Sequence, residues 1–206
     1  NKVRGKLTSP DSSVIGGTGY FFLHTSKNAG DFWNAPFTEF KDSGERTKKK
    51  KWITRGIEVI SVYKVKIHPN NPELIYGASA DIGGIVSENH GESFRVIKAQ
   101  YNSNYDYSFD PDNDKIVFAA SGNSHDWPEA WHSNSIKSEG GIYFSRNRGI
   151  NWERLTPETG DLNRQFLSVA FDSVNNIIYG GSHQTGIIRS IDDGETWNYI
   201  NSGLPN

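Results

Sequence analysis

Short stretches of alternating apolar and polar residues, each broken by a cluster of Pro, Asn, Asp or Gly, recur along this chain and predict strands joined by tight turns. In three places such a stretch runs into a turn cluster and out again into a second apolar stretch: Lys66-Ile67-His68-Pro69-Asn70-Asn71-Pro72-Glu73-Leu74-Ile75-Tyr76-Gly77, the segment from Tyr107 to Ala119, and the segment from Ser168 to Gly180. Pro presets φ at the turn, while Asn and Asp bond local backbone and tolerate a left-handed conformation, so each frame predicts a β-hairpin. A third strand follows each hairpin, Gly84–Ser87, Gly141–Ser145 and Gly186–Ser190, and each ends on a serine.

That serine opens a motif, Ser-x-Asn/Asp-x-Gly-x-x-aromatic, present four times: Ser26 to Trp33, Ser87 to Phe94, Ser145 to Trp152 and Ser190 to Trp197, at spacings of 61, 58 and 45 residues. The glycine permits positive φ, the Asn or Asp side chain bonds nearby amides, and the aromatic on a fourth strand wedges between sheets. Asn28, Asn89, Asn147 and Asp192 are therefore read as structural residues. Four antiparallel strands in each repeat of about 40 to 50 residues are the signature of a β-propeller blade. The predicted fold is all-β, with about four blades (approximately 1–40, 59–100, 105–156 and 166–201) and a linker over 41–58. Four blades are few for such a ring, so the expected whole is a larger propeller, seven-bladed or tandem. The remaining blades or a second propeller domain become the expected partners, because an open array exposes strand edges.

Composition agrees with this picture and narrows the partners. With 34% hydrophobic and 13% aromatic residues and 21 glycines, the chain has the balance of a folded all-β protein, and no amphipathic helical pattern stands out. A formal net charge of −2 gives no electrostatic case for nucleic acid or an anionic membrane. The run Lys48 to Lys51 reads as a solvated loop in a slightly acidic chain. No apolar stretch is long enough for a membrane-spanning helix. With no cysteine there are no disulfides and no thiolate metal sites. A start at Asn1 without any methionine points to a processed chain or a fragment, and a removed signal peptide makes an extracellular or periplasmic location the expectation.

Strand alternation assigns the loops to two ends. The hairpin turns share one end with the motif turns; the second-to-third-strand loops and the blade-to-blade connections share the other, which in propellers is the usual site of binding and chemistry. One of these loops is short, Ser79 to Gly84; one is a long insertion from Ser121 to Gly140; the third is Ser182 to Thr185 and carries His183. Long loops in an otherwise economical repeat are often functional. The insertion gathers His125, Asp126, Trp127, Glu129, Trp131 and His132 within eight residues. Two indoles flanked by carboxylates suit a sugar cleft, since pyranose faces stack on aromatic planes. The other reading is that Trp127 and Trp131 only pack the loop onto its blade. His125, Asp126 and His132 match no strong zinc or iron spacing, so no metal or cofactor is expected. Tyr105, in the connection from Gln100 to Asp106, joins the candidate binding residues on this end.

Ser-Ile-Asp-Asp-Gly-Glu-Thr-Trp at Ser190 to Trp197 resembles the Asp-box, or bacterial neuraminidase repeat, found in sialidase, glucanase, sortilin-like and photosystem assembly propellers. That resemblance specifies only the fold. A more local one lies in Ala80-Asp81-Ile82-Gly83-Gly84, with Arg55-Gly56-Ile57-Glu58 upstream and Ile67-His68-Pro69-Asn70-Asn71-Pro72 between. This looks like the xyloglucanase and endo-β-1,4-glucanase family of tandem propellers, in which such a segment from each domain presents one catalytic aspartate across a cleft. The resemblance implies an inverting glycoside hydrolase acting on a β-glucan such as xyloglucan, with Asp81 as general acid or base. Inversion needs a second carboxyl at roughly 6.5–9.5 Å, and this chain carries only one such segment. The competing reading makes Asp81 a turn-tightening residue of a non-catalytic Asp-box propeller that binds a polysaccharide or a protein. Sialidase chemistry fits less well, because no arginine triad can be assigned.

Overall fold

The computed structural model describes residues 5–8, 15–18, 23–29, 31, 38–41, 50–54, 61–124, 138–182 and 185–204, in two compact units, Asn1–Ile60 and Ser61–Asn206. The first unit holds an antiparallel sheet of β1 (Gly5–Thr8), β2 (Ile15–Thr18) and β3 (Leu23–Ser26), in that order. It also holds a pair, β4 (Thr38–Phe40) with β5 (Trp52–Thr54), so a strand lies within the stretch 41–58.

The second unit is three four-stranded antiparallel sheets in which sequence neighbours are spatial neighbours. The first contains β6 (Val62–His68), β7 (Asn71–Ser79), β8 (Gly84–Glu88) and β9 (Arg95–Ile97). The second contains β10 (Ser103–Asp110), β11 (Asn113–Gly122), β12 (Gly140–Ser145) and β13 (Glu153–Arg154). The third contains β14 (Phe166–Asp172), β15 (Ile177–Ser182), β16 (Gly186–Ser190) and β17 (Asn198–Tyr199). These are the blades that the hairpin frames and the motif predict. Side chains of Asn71, Asp110, Asn113 and Asp172 each accept a backbone N–H two residues on, closing the hairpin turns in the expected way.

The motif turn is built alike in the three copies of the second unit. Ser87, Ser145 and Ser190 are buried; each Oγ donates to the Asn or Asp Oδ1 two residues on, at 3.0, 3.0 and 2.8 Å. The same Oγ accepts the glycine N–H four residues on, at 2.8, 2.8 and 2.9 Å. The Asn or Asp Oδ1 in turn accepts the N–H of Ser93, Asn151 or Thr196. In the first unit Ser26 Oγ donates to Asn28 Oδ1 at 2.8 Å. Gly91, Gly149 and Gly194 have positive φ as predicted, but so does the residue before the motif glycine in all four copies: Ala29, His90, Arg148 and Asp193 lie at φ 54–58°. The hydrogen bonds to the serine hydroxyl outweigh a conformational preference that side-chain chemistry alone would not indicate.

Face-to-face packing of successive sheets forms the core. Between the first two sheets, Leu74, Tyr76, Ala78 and Val86 meet Tyr107, Phe109, Val117 and Tyr143, with Trp152 of the motif wedged alongside. Between the second and third, Phe118, Ala120 and Ile142 meet Phe166, Val169, Ile178 and Ile188, with Trp197 in the matching place. Each large side chain so buried contributes about 1.5–3 kcal/mol of transfer free energy.

Candidate functional site

The loop joining β7 to β8 carries Asp81, and its backbone is tied on both sides to the segments entering β6 and β10. Ala80 N–H donates to Ser61 O at 3.0 Å, Gly83 N–H donates to Asn102 O at 2.6 Å, and Asn104 N–H donates to Gly83 O at 3.0 Å. A parallel bridge also pairs Gly83 with Ser103. Between these feet the chain arches, with Ile82 N–H bonded to Ala80 O at 2.8 Å, and Asp81 sits exposed at its apex with φ 66°.

The two glycines that follow are demanded by packing. Gly83 has φ 85°, and a Cβ there would lie 2.7 Å from Ile97 O. A Cβ on Gly84 would run into the hydroxyl of Tyr107. The Asp-Ile-Gly-Gly segment is thus a rigid arch holding one carboxylate at the loop-bearing end of two consecutive inner strands.

Those inner strands carry a feature that periodicity does not disclose. β6, β10 and β14 each shift register at the corresponding place, between Val62 and Lys64, Asn104 and Asp106, and Phe166 and Ser168. The extra residues are Tyr63, Tyr105 and Leu167. Bulges of this kind re-aim side chains and are common beside functional sites. Here they bring the Tyr63 and Tyr105 rings to 5.4 Å. The shift also carries Asp106 inward: its side chain is 4% exposed and is held by Lys64 Nζ at 2.8 Å and Lys66 Nζ at 3.4 Å, while its Oδ1 accepts the Tyr107 N–H at 3.0 Å. Sequence reasoning missed Tyr63, Lys64, Lys66 and Asp106, because only the bulged register makes them neighbours.

Tyr105 does not lie in a connection, as read from sequence, but inside β10, where it is 4% exposed. Its hydroxyl donates to Ser124 O, so it secures the root of the long insertion. That root is also closed by Asn123 N–H to Glu139 O at 2.9 Å and by Glu139 N–H to Asn123 Oδ1 at 3.0 Å. The residues expected to bind from this insertion, His125, Asp126, Trp127, Glu129, Trp131 and His132, lie outside the described residues, as does His183. The loop bearing His183 is anchored beyond it by Asn201, whose Nδ2 donates to Thr185 O and whose Oδ1 accepts from Ile187 N–H.

At the opposite end, the motif and hairpin turns join neighbouring sheets through charge. Asp114 accepts from Asn71 Nδ2 at 2.8 Å and from Arg148 Nη2 at 2.6 Å. Desolvation works against its ionisation, but these bonds outweigh it and hold its carboxyl below the usual range. The Thr196 hydroxyl, then the Thr196 N–H and the Ser190 hydroxyl, likewise hold Asp192 low. Burial pushes the phenols of Tyr76, Tyr107 and Tyr143 well up, so they act only as neutral hydroxyls.

No family model matches the chain, and no curated protein matches it in sequence. Solved structures do match. A crystal structure of an ancestral GH74 enzyme aligns with 97% of the chain at 21% identity and a TM-score of 0.52, and the chain spans 24% of that enzyme's length. A GH74 xyloglucanase from Xanthomonas campestris aligns with 94% of the chain at 16% identity and a TM-score of 0.47, over 29% of its own length. A chain of a nidogen/laminin complex aligns with 74% at 13% identity and a TM-score of 0.51, over 57% of its own length. At these identities the likeness is one of architecture, and with the sheets described above it establishes the fold: the chain is a β-propeller of four-stranded antiparallel blades.

Proposed function

We propose that this chain is part of a secreted, carbohydrate-active Asp-box propeller, an inverting glycoside hydrolase acting on a β-glucan such as xyloglucan, with Asp81 as the catalytic acid or base. The observation that carries this reading is the Asp81 arch. An exposed carboxylate is fixed on a loop whose backbone is clamped to both neighbouring inner strands, with two glycines that let the loop seat closely against Ile97 and Tyr107. Preorganisation of this kind is what a group that must meet a glycosidic oxygen requires. Trp127 and Trp131 of the adjoining insertion serve as sugar platforms, with His125, Asp126, Glu129, His132 and His183 as polar contacts and Tyr105 as the support beneath. The second carboxyl comes from a further propeller segment of the enzyme.

The deciding experiment measures reducing-end release from xyloglucan by the complete protein and by its Asp81→Asn variant. Loss of an acid or base catalyst lowers kcat by about 100-fold or more. Unchanged hydrolysis in the variant, or no hydrolysis of any β-glucan by the complete protein, removes the enzymatic assignment. A second reading rests on the left-handed conformation of Asp81, which an aspartate tolerates in a tight turn. In that reading the propeller binds a polysaccharide or protein without cleaving it. Glucan binding with no hydrolysis and no dependence on Asp81 would favour it.

A further inference from the structure

The two gaps between successive sheets of the second unit are built on the same plan, and one is plugged where the other stands open. In the first gap the plug is Arg95, the residue eight beyond the motif serine Ser87. Its side chain is 6% exposed, and Nη2 donates at 2.6 Å to Arg148 O, the carbonyl three beyond the next motif serine. Glu88 lies 3.7 Å from Arg95 and 3.5 Å from Arg148, so the buried guanidinium has a counter-charge.

In the second gap every one of these positions has changed. The residue corresponding to Arg95 is Glu153, the one corresponding to Glu88 is Arg146, and the carbonyl corresponding to that of Arg148 belongs to Asp193. Arg146 and Glu153 pair with each other at 2.8 and 3.0 Å at the groove's edge, 64% and 66% exposed, and neither reaches between the sheets as Arg95 does. No described side chain reaches the Asp193 carbonyl. What remains is a groove of about 830 Å³ floored by Phe118, Phe144 and Phe171 and rimmed by Glu153, Glu158, Asp193 and Glu195. Two arginines also line it and both are committed: Arg146 to Glu153, and Arg154 to the carbonyls of Gly140, Thr156 and Pro157 and to Asn163 Oδ1. The floor already accepts a guanidinium, since Arg146 lies over the Phe144 ring at 4.6 Å from its centroid.

We propose that this groove is a docking site for an arginine side chain of a peptide or protein partner. The guanidinium enters between the sheets, donates to the Asp193 carbonyl and is balanced by Glu195, as Arg95 is by Glu88 one gap earlier. Apolar residues flanking that arginine lie on the phenylalanine floor. The arrangement selects arginine over lysine, because a planar fork can serve a carbonyl and a carboxylate together, as Arg95 serves Arg148 O and Glu88 in the preceding gap. It lies at the end of the blades away from Asp81 and does not depend on the carbohydrate reading.

The test uses N-acetyl-Arg-Phe-amide as the probe, with the citrulline peptide as a neutral isostere, followed through the amide signals of Gly194 and Glu195 in 15N-labelled protein. The arginine peptide is expected to saturate these shifts, the citrulline peptide to bind about tenfold more weakly or worse, and affinity to fall as salt rises from about 50 to about 500 mM. The double variant Arg146→Glu, Glu153→Arg installs the plug of the preceding gap and is expected to abolish binding. Should it fail to fold, the exposed single change Glu195→Gln is expected to weaken binding about threefold. Equal binding of the two peptides, shifts confined to another surface, or undiminished binding in the plugged variant overturns the proposal.

Discussion

A single methyl group placed on Gly84 tests whether the Asp81 arch is held as described. Gly84 pairs with Ala78 on one side and Ile97 on the other. A Cβ there strikes the Tyr107 hydroxyl and lies 2.7 Å from Gly77 O. Tyr107 has no room to retreat: it is fully buried, with its ring 5.4 Å from Tyr76 and 6.5 Å from Trp152. Its hydroxyl accepts from Asn104 Nδ2 at 2.9 Å, and Asn104 is itself buried with Oδ1 unpartnered. Accommodating the methyl costs about 1–3 kcal/mol in overpacking. Turning the ring aside strands the Asn104 amide, a further 1–3 kcal/mol or so. Against this stands a gain of about 0.4–1 kcal/mol from a stiffer unfolded chain. The net expectation for Gly84→Ala is a loss of about 2–4 kcal/mol, read as a lowered urea midpoint by tryptophan fluorescence. Because the clash is with a hydroxyl, Tyr107→Phe should relieve part of it, giving a coupling of about 1 kcal/mol in the double-mutant cycle. A Gly84→Ala protein within about 0.5 kcal/mol of wild type, or strict additivity with Tyr107→Phe, would refute the reasoning.

Arg95→Met keeps the apolar stem but leaves Arg148 O without its donor, so a loss of about 2 kcal/mol in urea unfolding is expected. The larger penalty of an orphaned buried charge does not apply, since Glu88 keeps Arg148 at 3.5 Å. Asp192→Asn should fold as stably as wild type near neutral pH, because asparagine makes the same turn at Asn89 and Asn147. Its effect appears in acid. Asp192 is depressed below the ordinary value of 3.8, so its contribution is present above that value and lost as pH falls through the lower folded one; the variant should show a shallower acid loss of stability, measured by thermal melts across that range. Trp127→Ala and Trp131→Ala should each weaken xyloglucan oligosaccharide binding by about 1 kcal/mol in calorimetry, and unchanged binding in both would make them packing residues.

The blade plan was legible because each of its parts is local. A hairpin needs its own Asn or Asp at the turn, and the motif turn needs a serine, an Asn or Asp and a glycine within five residues, all of which bond one another. The motif aromatics were legible too, Trp152 and Trp197 taking up matching places between successive sheets. The left-handed residue before the motif glycine was not. Alanine, histidine, arginine and aspartate occupy it, and the serine hydroxyl network rather than the residue type imposes the conformation. At the site, Asp81 and its glycines stand out as a string of residues, but the reason for the glycines lies in Ile97 and Tyr107, one from the same blade and one from the next.

By itself, then, the sequence determined the period of the repeat, the strand order and the end of the blade at which each loop emerges, because these follow from turn chemistry and the two-residue alternation of a strand. Only the tertiary structure decided which side chains meet. The one-residue bulges on β6 and β10 place Tyr63 beside Tyr105 and bury Asp106 under two lysines. The stacking of separate sheets sets Arg95 against Arg148 O while leaving the matching space beside Phe144 open. A register shift flips every side chain that follows it, and a gap between sheets is shaped by residues far apart in the chain, so neither is written in any local pattern.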